Sequence, residues 1–270
     1  MRNIFIKIIS FDFAQINPDI CFSLMRKRLL ILIALWGIFY GCAGSKAAEE
    51  HLTDQQIYNR ALEFYQKGKY QKAIETLEKL RYSPSVLADD AHLLTAKAYI
   101  KDGQPTLAAS ELKWLINQYP NSELVEEASY LLGEAYLAAS PRPELDQEYT
   151  HKAIDAFKDF LDYYPDSKFA DSARAGLDSC YEKLAHKQYL SAELYYKMHK
   201  DSAAVVYIND IRDKYPDTTW RLWADFLEAK IRLRQGEPEG AEQILKAIFD
   251  RNPPEKLARK AQKLLNKIKK

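Results

Sequence analysis

An all-α repeat solenoid is the fold class this sequence predicts, and three observations predict it. The first is a device used three times: "NQYPNSELVEEA" from Asn117, "DYYPDSKFADSA" from Asp162 and "DKYPDTTWRLWA" from Asp213. Proline inside a helix loses a hydrogen bond and clashes with the preceding turn, while Asp, Asn, Ser and Thr satisfy the free amides of a helix start. Each copy therefore closes one helix and opens the next. The second is the period. Pro120, Pro165 and Pro216 follow one another at 45 and 51 residues, and Pro84 and Pro253 flank them at 36 and 37. Periods of this size belong to helical solenoids, and tetratricopeptide repeats at about 34 residues are the nearest class. The third is composition: 29% charged and 47% hydrophobic, with 9 Gly and 11 Pro in 270 residues, as in a helical protein rather than a disordered or membrane-spanning one. A formal net charge of +1 leaves neither a nucleic-acid-binding excess nor an acidic tail.

The elements follow in order. Residues 1–24 precede a complete secretion signal with its own Met25 and read as a mis-chosen start. Residues 25–41 hold a basic cluster, an apolar run and Gly41, ahead of Cys42. The run from Leu29 to Tyr40 is too short for a bilayer span, which takes about 20 apolar residues. It resembles a bacterial lipoprotein signal, which makes Cys42 the lipidated first residue of the mature chain, although Phe39 and Tyr40 depart from the usual residues before the Gly-Cys pair. Residues 42–53 are small and charged, as a tether requires.

From Asp54 a repeat pattern takes over. Two antiparallel helices approach closely only where side chains are small, and large residues fill the groove beside the crossing. The first repeat supplies Ala61, Phe64, Gly68, Tyr70, Ala73, Leu77 and Leu80; the second, Ala96, Tyr99, Gly103, Ala108, Leu112 and Leu115. The third has Gly133, Tyr136, Ala153, Phe157 and Phe160, with eight extra residues in the polar loop "ASPRPELDQEYT". The fourth has Ala192, Tyr195, Ala204, Ile208 and Ile211, with His199 in the glycine position; the fifth has Ala229, Gly236, Ala241, Leu245 and Ile248, with Arg232 in place of the aromatic. Repeats one to three fill residues 54–166. Between Pro165 and Ala192 an unbroken apolar stripe predicts one helix from about Ser167 to Met198, joining the first three repeats rigidly to the last two within residues 167–254. Residues 255–270 form a basic amphipathic helix with Leu257, Ala261, Leu264, Leu265 and Ile268 on one face. This is a C-terminal capping helix for a stack of about five helix-turn-helix repeats, or else a basic helix for an acidic partner or anionic lipid.

Reactive constellations are absent from the pattern. His51, His92, His151, His186 and His199 show no metal-ligand spacing and read as exposed or capping residues, so no metal and no cofactor is expected. Cys180 has no disulfide partner and reads as a buried, inert thiol. No phosphate loop, nucleophile elbow or Cys-His arrangement occurs, so an enzyme is not expected. The helix A residues that flank the crossings line the inner groove of a tetratricopeptide fold. Here they are Tyr58, Leu62 and Tyr65, then Leu93, Lys97 and Ile100, then Tyr130, Glu134 and Leu137. Tyrosines join apolar area to a polar tip at low entropy cost, which suits an extended peptide; the other reading is that several simply pack on the next repeat.

The lipoprotein signal, five unequally spaced repeats, the inserted third repeat and the run "AHKQYLSAELYYKMHKDSAAVVYINDIRDKYPDT" together resemble the BamD family of outer-membrane protein assembly factors. The resemblance spans essentially the whole mature chain and is most specific over residues 150–218. It implies a lipid-anchored protein on the periplasmic face of the outer membrane that binds a POTRA domain of a BamA-type barrel subunit. It also implies that the N-terminal repeats receive unfolded outer-membrane proteins, and that the partner contact falls near Tyr207, Asp210, Asp213 and Lys214 in the second helix of repeat four. The alternatives are a periplasmic repeat adaptor of the Tol or cell-division type, which usually carries a coiled coil, and a glycan-binding lipoprotein. The glycan reading needs stacked Trp platforms, whereas Trp114, Trp220 and Trp223 are dispersed or at a helix start.

Overall fold

The computed structural model describes residues 52–268, and these form eleven α-helices. In chain order they are α1 (Asp54–Gln66), α2 (Tyr70–Arg81), α3 (Ala88–Lys101), α4 (Pro105–Gln118), α5 (Val125–Ala139), α6 (Glu148–Tyr163), α7 (Ala170–Lys197), α8 (Asp201–Lys214), α9 (Thr219–Arg234), α10 (Pro238–Phe249) and α11 (Glu255–Ile268). Each helix packs on its neighbour in sequence. The odd-numbered helices also pack on one another, α1 on α3, α3 on α5, α5 on α7 and α7 on α9, so they form one layer of the stack.

The crossings are made as the residue sizes require. Ala61, Ala73, Ala96, Ala108, Ala153, Ala192, Ala204, Ala229 and Ala241 are all fully buried. The bulky partners Leu77, Leu112, Phe157, Ile208 and Leu245 fill the space beside them and are buried as completely. Burial of a side chain of this size contributes about 1.5–3 kcal/mol, which is why five short repeats hold together without a disulfide among the described residues. In the fifth repeat the aliphatic part of Arg232 packs against Gly240, where an added Cβ would stand 3.3 Å from its Cδ. This is how an arginine occupies an aromatic's place.

The tightest approach is in the third repeat. Phe157 of α6 lies between Gly133 of α5 and Gly176 of α7; a Cβ on either glycine would fall 2.5 Å from the ring. The ring thus touches both neighbouring helices through bare backbone, and no larger residue fits at either position.

The repeated Tyr-Pro-x-Ser/Thr device has a second use besides stopping helices. Ser122 Oγ accepts the Leu124 N–H at 3.2 Å and donates to Asp89 of α3 at 2.6 Å. Ser167 Oγ accepts the Phe169 N–H at 3.0 Å and donates to Glu126 of α5. In the third copy Thr218 itself donates to the Tyr215 carbonyl at 2.8 Å, and the residue after it, Thr219, donates through its N–H and hydroxyl to Glu182 of α7, at 2.6 and 2.7 Å. Each breaker therefore ties its turn to a carboxylate on the preceding odd-numbered helix, which fixes the register between repeats. The bond from Ser167 to Phe169 also explains why α7 begins at Ala170 rather than at Ser167.

Helix α7 has 28 residues and runs about 42 Å at 1.5 Å per residue. Its first half packs with α5 and α6 and its second with α8 and α9. The inserted loop between α5 and α6 is pinned to it: Lys183 Nζ donates to Ser140 Oγ at 2.7 Å and Lys187 Nζ to the Leu145 carbonyl at 2.6 Å. The turn after α7 places His199 at φ 59, where the corresponding turns use Gly68 at φ 70, Gly103 at φ 75 and Gly236 at φ 82. Helix α11 closes the stack, with Leu257 and Ala261 fully buried and Leu265 nearly so.

Two stability measurements check this account. Gly176→Ala forces a methyl into the Phe157 ring and is expected to lower unfolding free energy by about 1–3 kcal/mol in denaturant titration. His199→Gly relieves a left-handed conformation and is expected to raise it by about 0.5–1 kcal/mol, since the hydrogen bond His199 makes to Arg234 is exposed.

Candidate functional site

The odd-numbered layer carries the expected groove residues, and the structure divides them. Tyr58, Leu62 and Tyr65 are half-buried on α1, against the core formed with α2 and α3. Burial pushes the Tyr58 phenol above its usual value, and Asp90, Asp89 and Glu127 add to this. Lys97 of α3 pairs with Glu127 of α5 at 2.6 Å, bridging two members of the layer. Burial likewise raises the Asp90 carboxyl, with Asp89 adding and Lys97 opposing. Tyr58, Asp90, Lys97 and Glu127 thus form one polar wall across α1, α3 and α5. Leu93 is not part of it: at 5% exposure it belongs to the core, because its position on α3 faces α4 and α5. Ile100 packs against the same core.

The third set turns toward α6 and α7. Tyr130 stacks on Phe169 with centroids 4.8 Å apart and planes 5° from parallel, and Leu137 packs against the Phe157 core. Glu134 is half-buried, and burial raises its carboxyl above the ordinary value. Cys180 is fully buried, with its thiol pushed up to about 11 by burial. It is not a reactive centre.

Two charged networks were not visible in the sequence. Arg81, His92 and Glu111 form one where repeat one meets repeat two: His92 bonds Glu111 Oε2 through Nδ1 at 2.6 Å and the Arg81 carbonyl through Nε2 at 3.2 Å, and Arg81 pairs with the other Glu111 oxygen. His92 is 1% exposed and stacks on Trp114 at 3.9 Å. The expectation of exposed or capping histidines therefore fails for His92, because Glu111 and a backbone carbonyl offset its burial. It fails also for His186, half-buried and stacked on Trp220 at 3.7 Å, where burial lowers its affinity for a proton. The second network lies between α8 and α9. Arg212 reaches Asp225 at 2.8 Å through Nε and pairs with Glu228; Arg221 and Arg232 hold the remaining carboxylate oxygens at 3.1 and 3.0 Å. Asp225 and Glu228 are both buried. Their spacing of three on α9 was the available signal.

The tryptophans are less dispersed than their spacing suggested. Trp220 and Trp223 lie 6.4 Å apart and join Tyr189, whose phenol burial pushes up to about 12. They pack against the core beneath α7 and α9, so they form packing rather than an open platform. Among the described residues no group of three or more His, Cys, Asp or Glu is placed to hold a metal ion. No described helix is long and apolar enough to cross a membrane. Cys42 lies outside the described residues.

Residues 50–234 match the YfiO family, described as "Outer membrane lipoprotein". The chain belongs to this family. Its similar relatives are named outer membrane protein assembly factor BamD: one from Vibrio cholerae is 26% identical over 206 residues, covering 72% of this chain and 86% of the relative. One from Rickettsia prowazekii is 25% identical over 197 residues, covering 72% and 78%. A putative BamD from Aquifex aeolicus is 29% identical over 203 residues, covering 73% and 64%. The family match takes in α1 to α9 and stops at the last residue of α9, so α10 and α11 lie beyond it.

Within the family-matched span, α8 carries the four residues of the expected partner contact. Tyr207 stacks on Tyr195 at 5.4 Å and 17°, and Asp210 pairs with Lys214 at 3.1 Å. Asp213 and Lys214 are exposed. Arg212, between Asp210 and Asp213, turns inward to Asp225 and Glu228, which holds α8 against α9 and leaves Asp213 and Lys214 on the outer side.

Arg212→Ala leaves two buried carboxylates short of a partner and is expected to cost about 3 kcal/mol in denaturant titration. Burial pushes the Glu111 carboxyl up, but the His92 hydrogen bond and the Arg81 charge outweigh it and hold it below 4.5. A depressed carboxylate stabilises the fold above its unfolded value and loses that contribution as pH falls through the folded one. Glu111→Gln should therefore melt below the parent at neutral pH, with the difference shrinking as pH drops below about 4.5.

Proposed function

We propose that this chain is a non-enzymatic scaffold of outer-membrane protein assembly, anchored by a lipid on Cys42 to the periplasmic face of the outer membrane. It binds a BamA-type barrel subunit through a POTRA domain and receives unfolded outer-membrane proteins. The observation that carries the reading is the family match over the stacked repeats, together with relatives whose names give them an assembly role. In this reading the first three repeats take an extended client segment along the wall built from Tyr58, Asp90, Lys97 and Glu127. Tyr58 and Lys97 offer apolar stems with polar ends, which tolerate many sequences and hold none tightly. The face of α8 bearing Tyr207, Asp210, Asp213 and Lys214 meets the barrel subunit. A stack of this kind changes no covalent bond; its work is to hold two polypeptides at a fixed separation.

The anchor follows from chain count: one acyl chain binds a membrane marginally, and two or more hold it firmly. Cys42→Ala is expected to move the protein from the outer-membrane fraction to the soluble periplasmic fraction, and its retention in membranes contradicts the anchor. A photo-crosslinking residue at position 207 is expected to capture a POTRA-bearing barrel subunit, and one at position 58 to capture nascent barrel proteins. Capture of neither contradicts the scaffold reading.

A further inference from the structure

Where the family-matched span ends, its last helix α9 and the later helix α11 enclose a groove of about 280 Å³ lined by Phe226, Lys230, Lys260, Lys263, Leu264 and Lys267. Phe226 and Leu264 make an apolar floor continuous with the core of the last repeat. The walls are four lysines, and among the described residues none of the four has an ion-pair partner. The nearby carboxylate, Glu193, is bonded to Lys197 at 2.7 Å. Lys230 is half-buried, with its ammonium 4.4 Å from the centre of the Tyr196 ring; that of Lys260 stands 5.1 Å from the Trp223 ring. Burial pushes the Lys230 ammonium below its usual value, and Lys260, Arg234 and Lys197 add to this against the pull of Glu193. Like charges gathered over an apolar floor raise the free energy of the empty groove, and an anionic occupant lowers it.

We propose that the groove between α9 and α11 is a docking site for an acidic polypeptide segment that carries apolar side chains between its carboxylates. Carboxylates meet Lys230, Lys260, Lys263 and Lys267, and the intervening apolar groups sit on Phe226 and Leu264. A polypeptide fits better than a membrane for a structural reason. A basic helix that lies in a lipid interface buries its apolar face among the acyl chains, and the apolar face of α11 is already used, with Leu257, Ala261 and Leu265 inside the stack. What remains outward is a charged cleft with one half-buried cation at its base, which a planar headgroup layer reaches poorly and a single extended chain reaches well. The site is separate from the wall on α1, α3 and α5 and from the α8 face, and it stands or falls independently of the proposed function.

The test uses the full chain in detergent micelles and a fluorescein-labelled peptide in which glutamate pairs alternate with leucine, read by fluorescence anisotropy. Binding is expected, with the dissociation constant weakened roughly tenfold or more by Lys260→Glu/Lys263→Glu and by raising salt from about 50 to about 300 mM. The same peptide with glutamine for glutamate is expected not to bind. Lys260 and Lys263 are exposed, so the double variant should keep its helical circular dichroism and melting temperature; Lys260→Gln/Lys263→Gln, which removes charge without adding any, should weaken binding by a smaller factor. Lys101→Glu/Lys113→Glu makes the same charge change elsewhere, and equal weakening by it overturns the site. So does failure of the acidic peptide to bind the parent, or a parent that binds phosphatidylglycerol vesicles through Lys260 and Lys263 but not the peptide.

Discussion

The contact of Phe157 with the bare backbones of α5 and α7 is the constraint on which the stack depends. Elsewhere alanines set the separation of paired helices, and each pair is spaced by a methyl on either side. At Phe157 three helices converge on one aromatic ring, and both flanking positions must be glycine. Glycine inside a helix costs up to about 1 kcal/mol against alanine, so its use at two helical positions facing the same ring marks close approach rather than flexibility. That approach brings the first half of α7 onto the third repeat. Because the same 28-residue helix runs on into the fourth repeat, the position of α8 and α9 is set by the packing of Phe157.

Polar bonds then fix what the apolar contacts leave free. Sliding one repeat along the next changes buried area little, but it breaks the bonds from Ser122 to Asp89, Ser167 to Glu126 and Thr219 to Glu182. Each is a hydrogen bond to a charged acceptor; the first two are partly shielded from water, where such a bond is worth about 1.5–3 kcal/mol, and the third is exposed and contributes less. Between α8 and α9 the Arg212 network plays the same part with stronger groups. The surfaces proposed to bind polypeptides therefore ride on elements held in register, which is what a scaffold with two occupants needs.

Much of this was legible in the residues alone. Every alanine proposed for a crossing is buried, because steric size at a helix crossing is a local property that spacing reveals. The placement of His199 in a glycine position was legible too, and the structure gives it a positive φ. The individual surface residues were harder. Leu93 shares the spacing of a groove residue, but its burial depends on where α4 and α5 fall, which no single-helix pattern contains. His92 and the pair Asp225 and Glu228 were missed because burial of a charge is offset by partners 11 to 19 residues away in sequence. The lysines of α11 were visible as a stripe; that Lys230 of α9 joins them to make a cleft was not.

Native-state hydrogen exchange along α7 tests the central claim most directly, that one continuous helix locked by Phe157 makes the repeats a single cooperative body. Amides from Gly176 to Ala192 are expected to exchange with one common free energy, close to that of global unfolding and equal to those of α6 and α8. Faster exchange in the middle of α7, with the helices before and after it opening at different free energies, would contradict it.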